Sequence, residues 1–184
     1  MKTEWEKLKI NDVCNVTDCQ HKTAPIVKEY TGYKMVRTTN VRDGRLDISS
    51  MYNVTKETYD KWSVRGYIEK GDVILTREAP MGEVGIIRNE KEKLFLGQRT
   101  LQLKPKSSIY PQFLYYSLLS PALQTQIKRE NNTGSTVSNI QIPIIKDMDI
   151  SVPSLSEQIN IADTLEYINR KIEINDKIND NLAT

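Results

Sequence analysis

One histidine, His21, and two cysteines, Cys14 and Cys19, are all the imidazole and thiol chemistry that 184 residues contain. Two cysteines are too few for a disulfide framework or a four-thiolate zinc site. A Cys/Cys/His cluster is conceivable from their closeness, but the spacing fits no common zinc pattern. Two reduced, unreactive thiols and no metal are therefore expected. No stretch approaches the roughly 18 unbroken apolar residues of a membrane span. Residues 1–6 carry acids with no apolar run behind them, unlike a secretory signal. Both absences lead to the expectation of a cytoplasmic chain.

The tools of DNA chemistry are missing as well. An amino-methyltransferase needs a Gly-rich cofactor turn and an Asx-Pro-Pro-aromatic loop to hold a flipped base. None of the seven prolines follows Asp, Asn or Pro, and no Gly-x-Gly occurs. A metal-dependent nuclease of the commonest type carries acid-x-Lys; no lysine here has an acid two positions before it. A P-loop is absent. Cys19 and His21 are the only convenient nucleophile–base pair, and no orienting group is evident beside them. These gaps turn the reading from catalysis to binding.

What is present suits one domain with a real core: 38% of residues are apolar and 27% charged. The net charge of +2 divides unevenly. Residues 1–150 hold 23 Lys and Arg against 18 Asp and Glu, and residues 151–184 hold 3 against 6. A polyanion would meet the head rather than the tail. The head reads as mixed α and β. Strands are expected at residues 34–39, 72–76, 84–88 and 94–103, with Asp43-Gly44 as a hairpin-type turn. Helices are expected at 55–62 and at 111–129, the second kinked or split at Pro121.

The tail differs. Ser154 stands three residues before Glu157, a capping box, and no Pro or Gly follows. A helix of about 30 residues would extend about 45 Å. Along it Ile161, Leu165, Ile168, Ile172, Asn175, Asn179 and Leu182 step by four and three. This is a heptad seam with two polar members, narrower than a helix needs to pack on its own domain. It asks for a second long helix; the alternative is a tail docked back on the head. The expected fold class is α+β, with a head at 1–152 and a long coiled-coil helix at 153–184.

Base edges are read by few side chains: Arg and Lys on guanine, Asn and Gln on adenine, Ser and Thr on several. Such residues cluster at expected turns and strand ends. Candidates for DNA contact are His21, Lys22 and Thr23; Arg37, Thr38, Thr39, Asn40 and Arg42; Arg77; Gln98 and Arg99; and Ser138 and Asn139 at the end of a polar loop. Each has an ordinary alternative as a solvent-facing strand or loop residue.

The sequence Asp18-Cys19-Gln20-His21-Lys22-Thr23-Ala24-Pro25, the run from Val36 through Asn40 to Asp47, and Gly71-Asp72-Val73-Ile74-Leu75-Thr76-Arg77 with Leu96-Gly97-Gln98-Arg99 resemble a target recognition domain. Residues 134–140 and Ile150-Ser151-Val152-Pro153-Ser154-Leu155-Ser156-Glu157-Gln158, followed by a long helix, resemble the spacer of type I restriction–modification specificity subunits. The likeness covers essentially the whole chain, with one recognition domain and one helix where the family has two of each. It implies a non-catalytic reader of one half of a split double-stranded DNA target, working with methyltransferase and motor-nuclease subunits. S-adenosylmethionine, ATP and magnesium would be bound by those partners. A half-length chain would act as a homodimer or beside a second half. A protein-interaction adaptor, or a self-contained nuclease or methyltransferase fragment, is the alternative.

Overall fold

The structure, a computed structural model, describes residues 4–129 and 139–182. The chain begins with β1 (Glu6–Lys9), the short α1 (Ile10–Val13) and β2 (Cys14–Asp18), then β3 (Tyr33–Val36), β4 (Val41–Arg42), β5 (Arg45–Leu46) and β6 (Tyr52–Asn53). Next come α2 (Lys56–Trp62), β7 (Val73–Thr76), β8 (Val84–Ile86), β9 (Lys93–Leu96) and β10 (Thr100–Pro105). The chain closes with α3 (Pro111–Leu119), α4 (Pro121–Arg129), α5 (Ile142–Asp147), β11 (Asp149–Val152) and α6 (Leu155–Leu182).

The centre is an antiparallel sheet in the order β2-β10-β7-β8. Val73 and Leu75 of β7 face a core built with Phe113, Leu114 and Leu118 of α3 and Leu123 and Ile127 of α4. Ile74, on the other face, joins Val36, Leu94 and Leu96 from a second sheet in the order β6-β3-β9. Burial on both faces is why residues 73–75 read as one continuous apolar run instead of alternating. The second sheet turns its far side, with Met35 and Phe95, to Tyr59 of α2. Helices, sheet, sheet and helix thus stack in layers around two main cores.

Residues 94–103 were expected as a single strand. They form two, β9 and β10, in different sheets. The break lies at Gly97-Gln98-Arg99, where Arg99 takes a left-handed φ of 67°. Gly97 passes so close to β3 that a Cβ there would lie 2.5 Å from the Val36 carbonyl oxygen. Gly97→Ala is expected to cost about 1–3 kcal/mol by overpacking this crossing, read as a lower urea midpoint at unchanged slope. The expected strand at 34–39 also stops early, because Thr38–Asn40 forms a tight 3-10 turn. The helix expected at 111–129 is split at Pro121 into α3 and α4.

β1 pairs antiparallel with β11, so the N-terminal strand lies beside the segment that launches α6. At 28 residues α6 spans about 42 Å. Ser154 Oγ accepts from the Glu157 N–H at 3.4 Å, as the capping pattern predicts. The buried Gln158 locks the first turn, accepting from the Tyr110 N–H and donating to the Pro153 carbonyl. Beyond Ala162 the face toward the head is polar. Glu166 pairs with Arg88 and accepts from the Tyr116 hydroxyl, and Glu173 and Asp176 each lie 3.8 Å from Arg45. The seam is a different face of the helix. Leu165, Ile168 and Ile172 are 37%, 49% and 49% exposed, and Asn175 and Asn179 are exposed too. Ile161 is half-buried; the Leu182 side chain lies outside the described residues. The tail therefore lies along its own head through Ala162 and Ile161 near its start and charge pairs beyond, while its apolar edge from Leu165 to Ile172 stays largely uncovered.

Candidate nucleic-acid interface

Three segments far apart in sequence meet in one cleft. Lys22 and Thr23 follow β2, Arg37, Thr38 and Thr39 follow β3, and Gln98 and Arg99 form the turn from β9 to β10. Together with Ala24, Ile26, Met35 and Tyr52 they enclose about 370 Å³. The sheets make this meeting unavoidable. β3 and β9 run parallel and in register, so their C-terminal ends, Val36 and Leu96, deliver both turns to the same edge.

Arg37 is the best-supported cation in the cleft. Its guanidinium lies 3.6 Å from the centroid of the Tyr52 ring, and Nη2 donates to the Ser50 carbonyl at 3.4 Å. Its Nε is buried without a hydrogen-bond partner. Stacking fixes the guanidinium plane, and the terminal nitrogens keep N–H groups beyond the one given to Ser50, which is what bidentate recognition needs. Arg99 stands opposite on its left-handed turn, more than half exposed, with Nε 3.1 Å from Glu78 Oε2. Gln98, Lys22 and Thr39 are exposed on the rim.

Other nominated residues have different occupations. Asn40 is 1% exposed; its side chain accepts from the Arg37 N–H and donates to Ser50 Oγ, so it shapes the turn beneath Arg37. Arg77 is 9% exposed and turned inward, donating to the Ile140 carbonyl, Asp18 and Asn139. Asn139 is accordingly engaged by Arg77. Arg42 is exposed on the β4–β5 hairpin and does not line the cleft. Ser138 lies outside the described residues. Tyr52 and Glu78 carry no base-reading signature alone; folding brings Tyr52 into the cleft and Glu78 against Arg99 at its edge.

His21 sits beside the cleft, with Nε2 2.8 Å from Asp18 Oδ2 and Nδ1 4.0 Å from Cys19 Sγ. The orienting carboxylate not evident in the sequence is thus Asp18. One ligand atom from each of Asp18, Cys19 and His21 lies within 4.8 Å of the others, with Asp18 on one ring nitrogen and Cys19 nearer the other. Cys19 is almost wholly buried, and burial is the main cause raising its thiol pKa. Burial pushes the Cys14 thiol up to about 12. Both cysteines are free, and both are held as neutral thiols, poor nucleophiles.

A layered α+β head with a cation-lined cleft on one side and a long helix on the other is the plan of a recognition module. The chain belongs to the family described as type I restriction modification DNA specificity domain, which matches residues 2–184. It is 28% identical over 181 residues to the type I restriction enzyme MjaIX specificity subunit of Methanocaldococcus jannaschii, matching 96% of this chain and 40% of that protein. It is 23% identical over 168 residues to the EcoBI specificity subunit of Escherichia coli, with 90% and 35% covered. The chain spans less than half the length of these relatives. The crystal structure of the HsdS subunit from Thermoanaerobacter tengcongensis shares the fold, with a TM-score of 0.64 at 17% identity, covering 97% of this chain and 40% of that one. No helix among the described residues is long and apolar enough to cross a membrane.

Proposed function

We propose that this chain reads one half of a bipartite duplex DNA target as the non-catalytic specificity component of a cytoplasmic type I restriction–modification complex. The observation that carries the reading is the convergence of Lys22, Arg37, Gln98 and Arg99, from three separate segments, on one cleft. Arg and Gln are the side chains suited to bidentate contacts with guanine and adenine. Lys22, His21 and Arg42, exposed around the head, suit phosphate contacts that set register. Arg77 and Asn40 act beneath the surface, holding the walls in place, with exposed Asn139 engaged by Arg77. The head at 1–152 reads, and the helix at 153–184 sets spacing and assembles.

The uncovered edge of Leu165, Ile168 and Ile172, continuing from half-buried Ile161, pairs with a second long helix, in a second copy of this chain or in the other half of a longer subunit. A second exposed stripe, Tyr167, Ile174 and Ile178, lies about 120° around the helix at 100° per residue. It faces neither the head nor the seam, and it suits docking of the methyltransferase subunits. Methyl transfer, ATP hydrolysis and cleavage, with S-adenosylmethionine, ATP and magnesium, belong to those and the motor-nuclease subunits.

The test is selection from a randomised split-site duplex pool with the purified chain. One sequence should be enriched, with binding that weakens steeply as salt rises. Arg37→Ala and Gln98→Ala are each expected to lose about 1–3 kcal/mol of discrimination at one base pair, measured by competition between the selected site and its single-position variants. A pool that emerges unenriched, from a chain that nonetheless captures methyltransferase, would favour an adaptor instead.

A further inference from the structure

Arg99 and Glu78 stand on two strained turns joined by a backbone hydrogen bond. The Arg77 N–H donates to the Arg99 carbonyl at 2.8 Å, placing Glu78 directly beside the next turn. Arg99 has a φ of 67° and Ala79, following Glu78, a φ of 47°. Side chains other than glycine rarely adopt such values, and where they persist the surroundings enforce them. Here the enforcement is visible. Thr76 Oγ donates to the Pro80 carbonyl at 2.6 Å and accepts from the Glu83 N–H at 3.0 Å, tying the Glu78 turn shut. Glu78 is four-fifths buried, while Arg99 is more than half exposed. With Arg99 more than half exposed, water screens the pair and it contributes little to stability, so stability does not explain two strained turns meeting around it.

The contact itself is informative. Glu78 approaches Nε of Arg99, the nitrogen on the stem side of the guanidinium, at 3.1 Å. That contact leaves the two terminal nitrogens for the fork that meets guanine O6 and N7 together. The carboxylate also cancels the charge that would draw Arg99 to any phosphate. We propose that Glu78 is a specificity-determining positioning residue: it buttresses Arg99 so that the arginine reads a base and stays silent toward the DNA backbone. The inference rests on the DNA-reading function proposed above.

Each phosphate neutralised adds about −0.9 to the slope of log affinity against log salt for duplex DNA. With a non-cognate 30-base-pair duplex titrated across salt concentrations, Glu78→Gln should bind severalfold tighter than the wild-type chain, with a slope steeper by about one unit. Arg99→Gln alone should leave that slope unchanged, because Arg99 is already neutralised. Arg99→Gln in the Glu78→Gln background should cancel the gain. Against the selected site, discrimination should fall at one base pair in both single variants. Unchanged slope in Glu78→Gln, or weaker binding to every duplex, overturns the buttress while leaving the DNA-reading function intact. A wild-type chain that binds no duplex at any salt overturns both.

Discussion

Arg77→Met is expected to lower the stability of the head by about 3–5 kcal/mol, the range for removing one member of a buried, hydrogen-bonded charge pair. For a chain of this size that corresponds to a melting point lower by roughly 6–20 °C. The Arg77 guanidinium holds three groups at once: the Ile140 carbonyl at 3.1 Å, Asp18 Oδ1 at 3.3 Å and Asn139 Oδ1 at 3.4 Å. Methionine keeps the length and much of the volume but none of the donors. Asp18, only 18% exposed, would be left with His21 and with Arg65 at 4.0 Å, and the Ile140 carbonyl would lose its donor. An orphaned buried acceptor costs about 1–3 kcal/mol by itself. Urea unfolding measures the loss. A change under about 1 kcal/mol would mean that water replaces the arginine, as at an exposed pair. DNA affinity should fall in parallel, because the same residue joins the strand end beside Glu78 to the segment that carries His21.

Arg77 also shows where sequence reading stops. Its residue type suited DNA contact, and nothing local marked it as buried. Its partners come from 59 to 63 positions away in the chain, and only the packed sheet brings them together. Arg37, Gln98 and Arg99 were legible by chemistry, but their meeting depended on the parallel register of β3 and β9. Tyr52 reaches Arg37 through the β3–β6 pairing and carried no signal of its own. The apolar run in β7 was legible because burial on both faces leaves a continuous pattern. The turn between β9 and β10 was not, since an arginine with positive φ contradicts its own preference and is held there by tertiary contacts. In α6 the narrow seam was plain from its spacing. The face toward the head was not, because charge pairs to Arg45 and Arg88 serve where an apolar stripe was sought.

That division of the helix sets the largest expected effect. Ile168→Asp with Ile172→Asp should leave the head folded, within about 1 kcal/mol for the two together, since both side chains are half-exposed and a substitution at such a surface position rarely costs more than about 0.5 kcal/mol. Assembly should be lost. Burying a fully exposed isoleucine side chain is worth about 1.5–3 kcal/mol; these are already half-buried, so a two-fold pair of seams gains about 3–6 kcal/mol from four of them. A micromolar dimer is held by about 8 kcal/mol, so the loss removes a large part of the association, and four added carboxylates repel besides. Sedimentation equilibrium at micromolar concentration should show two chains in the wild-type particle and one in the variant, with superimposable melting of the head. Asn175→Ile with Asn179→Ile should act the other way. It should tighten association while allowing more than one register, because an Asn in a seam lowers stability and selects alignment. A wild-type chain that sediments as a monomer throughout that range would deny the seam a partner in a second copy. It would leave the other half of a longer subunit as the surface that covers Ile168 and Ile172.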